Sequence, residues 1–310
     1  MIVISILMAT YNGEKYLHEQ IDSLLAQTFQ DFVIYISDDA STDNTWDILN
    51  SYAKQYPEKI ILFQKEINSG SSKHNFFDMM INVKDDYVML CDQDDVWLPG
   101  KVEDAYNAVK AAEAKYGQCT PLVIHTDLIV VNKNLEIISP SFRLAMNSNF
   151  CRIQLKDQII QNTLTGCTAM YNRSLAELIQ KKPEFMVMHD WWLMLIAAAF
   201  GKIEPLYQQT VLYRQHDKNV VGAKNVRTFS YKFNKLLNYK EIKAALAQTY
   251  MQAQNFLDVY GNKLSGEQIA LLEAYCLVPN MSKFMRWYTV CRLGVLKNGV
   301  ARKIAGFIFI

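Results

Sequence analysis

Apolar runs and polar breaks alternate along the first two hundred residues, with two different periods. Ile2 to Met8 is apolar and rich in β-branched residues, which predicts a buried strand. After the loop ATYNG, Glu14 to Gln27 places Tyr16, Leu17, Ile21, Leu24 and Leu25 at helical spacing. Phe32 to Ile36 predicts a second strand, ending in SDDASTDNT, and Thr45 onward predicts a helix capped by Ser41, Thr42 or Asp43. Lys59 to Gln64 and Tyr87 to Leu90 read as further strands, Ser72 to Ile81 and Lys101 to Tyr116 as helices, and Leu122 to Val131 as strand-like. Strand and helix in alternation, joined by short linkers, predict an α/β fold with a mostly parallel sheet flanked by helices. Ligands of such sheets bind beyond the carboxyl ends of the strands. The loops ATYNG, SDDASTD and CDQDD each follow a strand, so they are expected to meet at one edge and build one site.

Beyond about Val221 the pattern changes. Residues 228–310 are helix-rich with no convincing strand, which predicts a main domain over 1–222 and a C-terminal helical region over 223–310. The chain has 310 residues and a formal net charge of +1, so it carries no global signal for a polyanion and no nucleic acid is expected. The charge is uneven, however. From Met281 to Ile310 there are six basic residues and no acid. On a helical projection Phe284, Trp287, Tyr288, Cys291 and Val295 share one face, with Lys283, Arg286 and Lys297 off it and Arg292 at its border. Such a helix either lies in a membrane interface or docks on the main domain. The six cysteines form no CxxC pair and fit reduced thiols in a cytoplasmic protein better than a zinc site or a disulfide framework. MIVISILMATYNG lacks a basic leader and reads as a strand rather than a signal peptide, and no apolar run approaches the 18 residues or so needed to span a bilayer.

Four stretches could carry chemistry. In CDQDD, Asp92, Asp94 and Asp95 crowd three carboxylates into four positions, and like charges that close raise one another's pKa unless something positive intervenes. Two carboxylates one residue apart at a strand end can share Mg²⁺ or Mn²⁺. The alternative is an Asp-rich turn capping the helix that starts near Pro99, a task that falls to Asp95. In SDDASTDNT an Asp at the strand end can accept from the N–H of a nucleobase, or simply belong to a capped loop. In MHDWWL, Asp190 sits between His189 and the pair Trp191 and Trp192. Bulky aromatics desolvate a carboxylate toward general-base values, and indole faces stack on sugars. The plainer reading is an Asp opening a helix with core tryptophans. In YRQHDKNVVGA, Arg214, His216 and Lys218 offer donors suited to a diphosphate, against a solvated polar loop.

Taken together, ISILMATYNGEKYLHEQIDSLLAQTF, YISDDASTDNT, CDQDDVWLPGK and HDWW resemble, in order and spacing, the family 2 inverting glycosyltransferases with the GT-A fold. NSGSSKHNF, HTDLIVVN, LTGCTAMYN, HDWWLMLIAAAFGKI and YRQHDKNVVGA resemble the bacterial rhamnosyltransferase branch, whose members build rhamnose-containing surface polysaccharides from dTDP-rhamnose. The resemblance implies that Thr10 and Tyr11 contact the nucleotide, with Tyr11 stacking on the base, and that Asp39 accepts from its imide. It implies Asp92 near the ribose, Asp94 on Mn²⁺ or Mg²⁺ with His216 near the metal or diphosphate, and Asp190 as catalytic base. His189, Trp191, Trp192 and Arg214 are the expected substrate or acceptor contacts.

The function so implied is transfer of a sugar, L-rhamnose from a dTDP-sugar donor; the basic C-terminal tail, which lies outside the shared motifs, adds the expectation of a lipid-linked saccharide acceptor and of a helix that holds the enzyme at the inner face of the cell membrane. A UDP-hexose donor stays open, because uracil and thymine present the same imide. A sugar nucleotidyltransferase also uses paired carboxylates and a metal, but ATYNG is not the Gly-rich, Arg-containing loop that holds a triphosphate. A non-catalytic sugar-binding module is at odds with intact Asp39, Asp92, Asp94 and Asp190. Acceptor, linkage and oligomeric state are not readable from the sequence, and a homodimer stays open.

Overall fold

The structure, a computed structural model, describes residues 3–216 and 239–299. The chain divides into two compact units, one of Met1–Phe142, Leu164–Lys182 and Gly201–Gly222, the other of Arg143–Thr163, Pro183–Phe200 and Ala223–Ile310. The boundary expected between residues 222 and 223 lies outside the described residues.

The first unit is one nine-stranded sheet with helices. Its strands are β1 (Ile4–Thr10), β2 (Phe32–Asp38), β3 (Ile60–Gln64), β4 (Tyr87–Cys91), β5 (Val96–Trp97), β6 (Leu122–Val131), β7 (Ile137–Ser139), β8 (Ala169–Asn172) and β9 (Lys202–Arg214). Helices α1 (Leu17–Leu25), α2 (Thr45–Gln55), α3 (Ser72–Asn82) and α4 (Lys101–Tyr116) fill the connections between the early strands. The order is β3-β2-β1-β4-β8-β6-β9-β5, with β7 on β6. β3, β2, β1 and β4 run parallel, with Thr10 opposite Asp38 and Met8 opposite Cys91. Every residue of β1 is buried, which is why it reads as an unbroken apolar run rather than an alternating one. β8 is inserted antiparallel between β4 and β6, whereas β9 runs parallel to β6. The carboxyl ends of β1, β2, β4 and β9 therefore share one edge.

β9 is the longest strand and has no counterpart among the predicted elements. Its sequence KIEPLYQQTVLYR carries Pro205 and a polar middle. The structure accommodates both through register shifts against β6 around Asp127, where the ladder is already interrupted.

In the second unit, α5 (His189–Phe200), α6 (Tyr239–Tyr260), α7 (Gly266–Leu277) and α8 (Lys283–Leu293) are the main elements. The helix-rich C-terminal region is thus observed over its described part. A capping box at Ser265 and Gln268 starts α7, and Gly294 ends α8 in the left-handed conformation that favours glycine. Residues 183–188 are tied to α6 by Phe185 N–H donating to Asn255 Oδ1 (2.9 Å) and Val187 N–H to Gln252 Oε1 (2.8 Å).

Candidate active site

Three loops meet at the carboxyl edge of the first unit, and side chains lace them together. Asp38, at the end of β2, accepts from Thr10 Oγ1 (3.0 Å), Ser41 Oγ (2.6 Å) and the Ser41 amide (3.0 Å). Asn12 N–H donates to Ser41 Oγ (2.9 Å), and Gly13 N–H to Thr45 Oγ1 (2.8 Å). Asp38 is therefore the organiser of the first two loops, and it is fully buried. Thr10 is buried by this contact, while Tyr11 is 47% exposed and presents its ring at the edge. Asp43, one of three residues expected to cap α2, accepts from Thr45 N–H at 3.0 Å.

Asp39 is placed by a different contact. Its amide donates to Thr10 O (2.9 Å), and its two carboxylate oxygens accept from the amide (2.9 Å) and hydroxyl (2.8 Å) of Ser69. An ionised carboxylate has roughly four acceptor sites, so capacity for a further donor remains. The next residue, Ala40, has φ of +60°, an uncommon conformation for a residue with a Cβ. Such strain persists only where surrounding contacts impose it, and it clusters at ligand sites.

The CDQDD turn carries the densest polar chemistry. Gln93, between the two carboxylates singled out for the metal, clasps the peptide of Tyr11: Oε1 accepts from Tyr11 N–H (2.8 Å) and Nε2 donates to Tyr11 O (3.1 Å). Gly13 makes room for that amide, since a Cβ there would stand 2.3 Å from Gln93 Oε1. Asp94 Oδ2 lies 2.7 Å from His216 Nε2, and the His216 ring stacks on Tyr16 with centroids 5.0 Å apart. Asp95 is fully buried and accepts from the Arg214 amide at 3.0 Å. The expectation that it caps the following helix is corrected: α4 begins five residues beyond β5's first residue with Gly100 at its cap and no side-chain cap bond. Burial, and then the charges of Asp94 and Asp92, push the Asp95 carboxyl well above the usual range, which favours its uncharged form. Lys101, also buried, has its Nζ 4.4 Å from the Trp97 ring centroid and 3.5 Å from Thr210 Oγ1, and burial brings it down to about 8.

Arg214 supplies the other positive charge, and the expectation that it contacts a substrate is corrected by its surroundings. It is 1% exposed, with Nε on Asp94 O (2.9 Å), an η-nitrogen on Lys133 O (2.8 Å) and the other on the Glu19 carboxylate. Its guanidinium also lies 4.5 Å from the Tyr16 ring centroid, on which His216 stacks. Its donors are directed at protein groups, so it fixes the turn that carries Asp94. Tyr16, Glu19 and Gln93 were not among the predicted site residues. A polar residue between two metal-type carboxylates and an acid in α1 are ordinary in sequence, and only the fold shows what they hold. Lys218 lies outside the described residues.

Asp92, Asp94 and His216 offer hard oxygens and an imidazole, a donor set that suits Mn²⁺ or Mg²⁺. Donor atoms of Asp92, Asp95 and Cys167 also come within 4.8 Å of one another. Burial pushes the Cys167 thiol well up, which leaves it protonated and a poor ligand, so this buried group reads as support for the turn rather than as a metal centre.

In the second unit Asp190 and His189 open α5. Asp190 is 8% exposed, and its Oδ1 accepts from Trp191 N–H at 2.6 Å. Burial brings His189 down to about 3, so it is a neutral imidazole at physiological pH. Trp191 donates its indole N–H to Gln158 O (2.6 Å) and stays partly exposed. The expectation that Trp192 stacks on a sugar is corrected. Its side chain is fully buried against Phe256 (5.4 Å between centroids, edge-on) and Tyr260 (6.2 Å), as a core residue.

Comparison with known proteins fits this architecture. The chain is 29% identical over 240 residues to the dTDP-rhamnosyl transferase RfbG of Shigella flexneri, covering 74% of this chain and 78% of that one. It is 38% identical over 94 residues to the poly(ribitol-phosphate) beta-glucosyltransferase of Bacillus spizizenii, covering 30% of this chain and 15% of that one. Its fold is similar to S. aureus TarS (TM-score 0.57, 18% identity, 91% of this chain and 44% of that chain) and to the 1–349 portion of TarS solved with UDP-GlcNAc (TM-score 0.54, 18% identity, 90% and 80%). It is also similar to the mannosyltransferase PcManGT of Pyrobaculum calidifontis, solved with GDP-Man and Mn²⁺ (TM-score 0.51, 14% identity, 94% and 84%). Residues 5–179 match glycosyl transferase family 2 as a whole, and with the carboxyl-edge loops in place the chain belongs to that family and has its GT-A fold.

Proposed function

We propose that this glycosyltransferase moves L-rhamnose from dTDP-β-L-rhamnose to a hydroxyl of a lipid-linked saccharide in bacterial surface-polysaccharide synthesis, with inversion. The observation that carries the transfer reading is that the loops bearing Tyr11, Asp39, Asp92 and Asp94 meet at one carboxyl edge, with the Tyr11 ring exposed and its peptide clasped by Gln93, which lies between the two carboxylates in sequence. The rhamnosyl reading rests on the similarity to RfbG.

In this reading Tyr11 stacks on the base and Asp39 accepts from its imide N–H. Asp92 meets the ribose. Asp94 and His216 hold Mn²⁺ or Mg²⁺, which when bound offsets the charge that builds on the departing diphosphate. Asp190 takes the proton of the acceptor hydroxyl as that oxygen bonds to the anomeric carbon and the carbon–diphosphate bond breaks. One displacement inverts the centre, so a β-linked donor yields an α-L-rhamnoside. Neutral His189 beside Asp190 adds no second charge to the first turn of α5, where the helix dipole already favours the carboxylate. Arg214, Tyr16 and Gln93 position the turn. Trp191 is the tryptophan left to meet an acceptor.

The test is nucleotide release across dTDP- and UDP-sugars, with and without Mn²⁺ or Mg²⁺. Release is expected to be greatest from dTDP-rhamnose and lost in EDTA. Greatest release from a UDP-hexose would favour the second reading, for which the UDP-GlcNAc-bound TarS fold is the precedent. Asp190→Asn should abolish transfer and leave nucleotide binding intact; transfer retained in that variant removes Asp190 as the base.

A further inference from the structure

Helix α8 turns an apolar stripe outward rather than inward. Its inner side is set by Val290, which is buried, by Arg286, whose guanidinium donates to Met281 O (2.8 Å) and Pro279 O (2.7 Å), and by Thr289, 3.3 Å from Met281 Sδ. The opposite side carries Phe284 (75% exposed), Trp287 (40%) and Tyr288 (53%), with Cys291 also exposed. At about 100° per residue these four occupy an arc of roughly 100°. Lys283 and Arg292, both exposed, fall about 90° to either side of its centre. Lys283 Nζ reaches back to 5.9 Å from the Trp287 ring. Met281 to Gly299 contains no acid.

An outward aromatic stripe with a cation on each flank is matched to one kind of surface. Aromatic side chains settle at the boundary between headgroup and hydrocarbon, while lysine and arginine bury their stems and keep their charge among phosphates. At 11 residues the helix is far too short to cross a bilayer, which takes about 20, so it would lie in the surface plane. A protein partner matched to the same face would need an acidic rim around an apolar groove, and the nearest uniform source of that arrangement is an anionic phospholipid leaflet. We infer that the outer face of α8, formed by Phe284, Trp287, Tyr288, Lys283 and Arg292, docks on an anionic membrane surface. This holds whichever sugar the enzyme transfers.

The full-length chain is mixed with vesicles of phosphatidylcholine alone, or with about a third phosphatidylglycerol, and pelleted. Partitioning is expected onto the anionic vesicles and to fall with salt. Each basic side chain near such a surface is worth about fivefold, so Lys283→Gln with Arg292→Gln should weaken partitioning about thirtyfold. Phe284→Ser with Tyr288→Ser should weaken it at least as much, since both rings would leave hydrocarbon for water. The four side chains are exposed, so thermal melting of the variants is expected to match the parent and serves as the fold control. Absence of binding to anionic vesicles, equal binding to phosphatidylcholine alone, or unchanged binding in both double variants overturns the inference. So does a dimer, seen by sedimentation velocity without vesicle binding, that Phe284→Ser with Tyr288→Ser converts to monomer, because the stripe would then belong to a second copy.

Discussion

Gln93 gives the sharpest test of how the edge loops cooperate. Its amide makes two neutral hydrogen bonds to the Tyr11 peptide, at 2.8 and 3.1 Å, in an exposed setting where water competes. Each such bond is worth about 0.5 to 1.5 kcal/mol net, and the exposed setting favours the lower half. Gln93→Ala should therefore release about 1 to 2 kcal/mol of loop ordering. A ligand that stacks on Tyr11 must supply that ordering itself, so the dissociation constant for dTDP or UDP should rise about 5- to 30-fold. Gly13→Ala attacks the same contact from the other side. Its methyl would stand 2.3 Å from Gln93 Oε1 and 2.7 Å from Cδ, so the flexible amide must swing away. The double variant gives the decisive comparison. Once Gln93 is alanine the three atoms nearest the Gly13→Ala methyl are gone, so the second change should add little and the cycle should show a coupling of about 1 kcal/mol. Calorimetric titration with dTDP and UDP in Mn²⁺ reads all four proteins. Affinities within twofold of the parent, or strictly additive losses, would refute the clasp as the element that orders Tyr11.

Other expectations concern stability. Gly201→Ala would set a methyl 1.9 Å from Pro121 O, a backbone atom that cannot swing aside, at the start of the β6–β9 ladder; a loss of about 2 to 4 kcal/mol should show as a melting point lower by several degrees, whereas Gly266→Ala, with nothing within 4 Å, should leave it unchanged. Trp192→Ala should lower the urea midpoint strongly, at about 3 to 5 kcal/mol, with a smaller effect for the partly exposed Trp191→Ala; equal losses would contradict the core assignment of Trp192. His189 and His125 are brought down by burial to about 3 and about 4, so below their unfolded value near 6.5 the unfolded chain takes up protons that the native chain does not. Stability should therefore fall as pH drops from about 6.5 towards 4, and His125→Gln should flatten that slope in urea titrations at pH 7 and 5.

The parallel half of the sheet was legible because β1 and β4 are buried on both faces and so read as apolar runs, as in ISILMAT, and because the Asp-rich stretches SDDAS and CDQDD end β2 and β4. β8 and β9 were not, for opposite reasons. AMYN is too short to show a period, and KIEPLYQQTVLYR mixes a proline with polar positions that register shifts accommodate. The placement of Tyr11, Asp39, Asp92 and Asp94 beyond strand ends, and of Thr10 at one, followed from the pattern. The division of labour among neighbours did not. Asp38 and Asp39 look equivalent in sequence, yet one is used up holding Ser41 and Thr10 while the other faces Ser69. Arg214 and Trp192 looked like ligand groups because their residue types suit a diphosphate and a sugar. Burial, which depends on partners such as Glu19 and Phe256, made them structural.

The contact between Asp94 and His216 spans 122 positions, and that between Glu19 and Arg214 spans 195. Both depend on β9, which cannot pair with β6 until nearly the whole first unit has emerged from the ribosome. Chain closure over such distances is slow, and topologies dominated by distant pairings fold late. The turn bearing Asp94 is thus a place where assembly finishes. Until then β6 presents an open, apolar edge of the kind that captures strands from other molecules. A chain cut before Gly201 should aggregate faster than one extended through His216, both lacking the Phe256 and Tyr260 that cover Trp192, so the last strand guards solubility as well as holding the turn that bears Asp94.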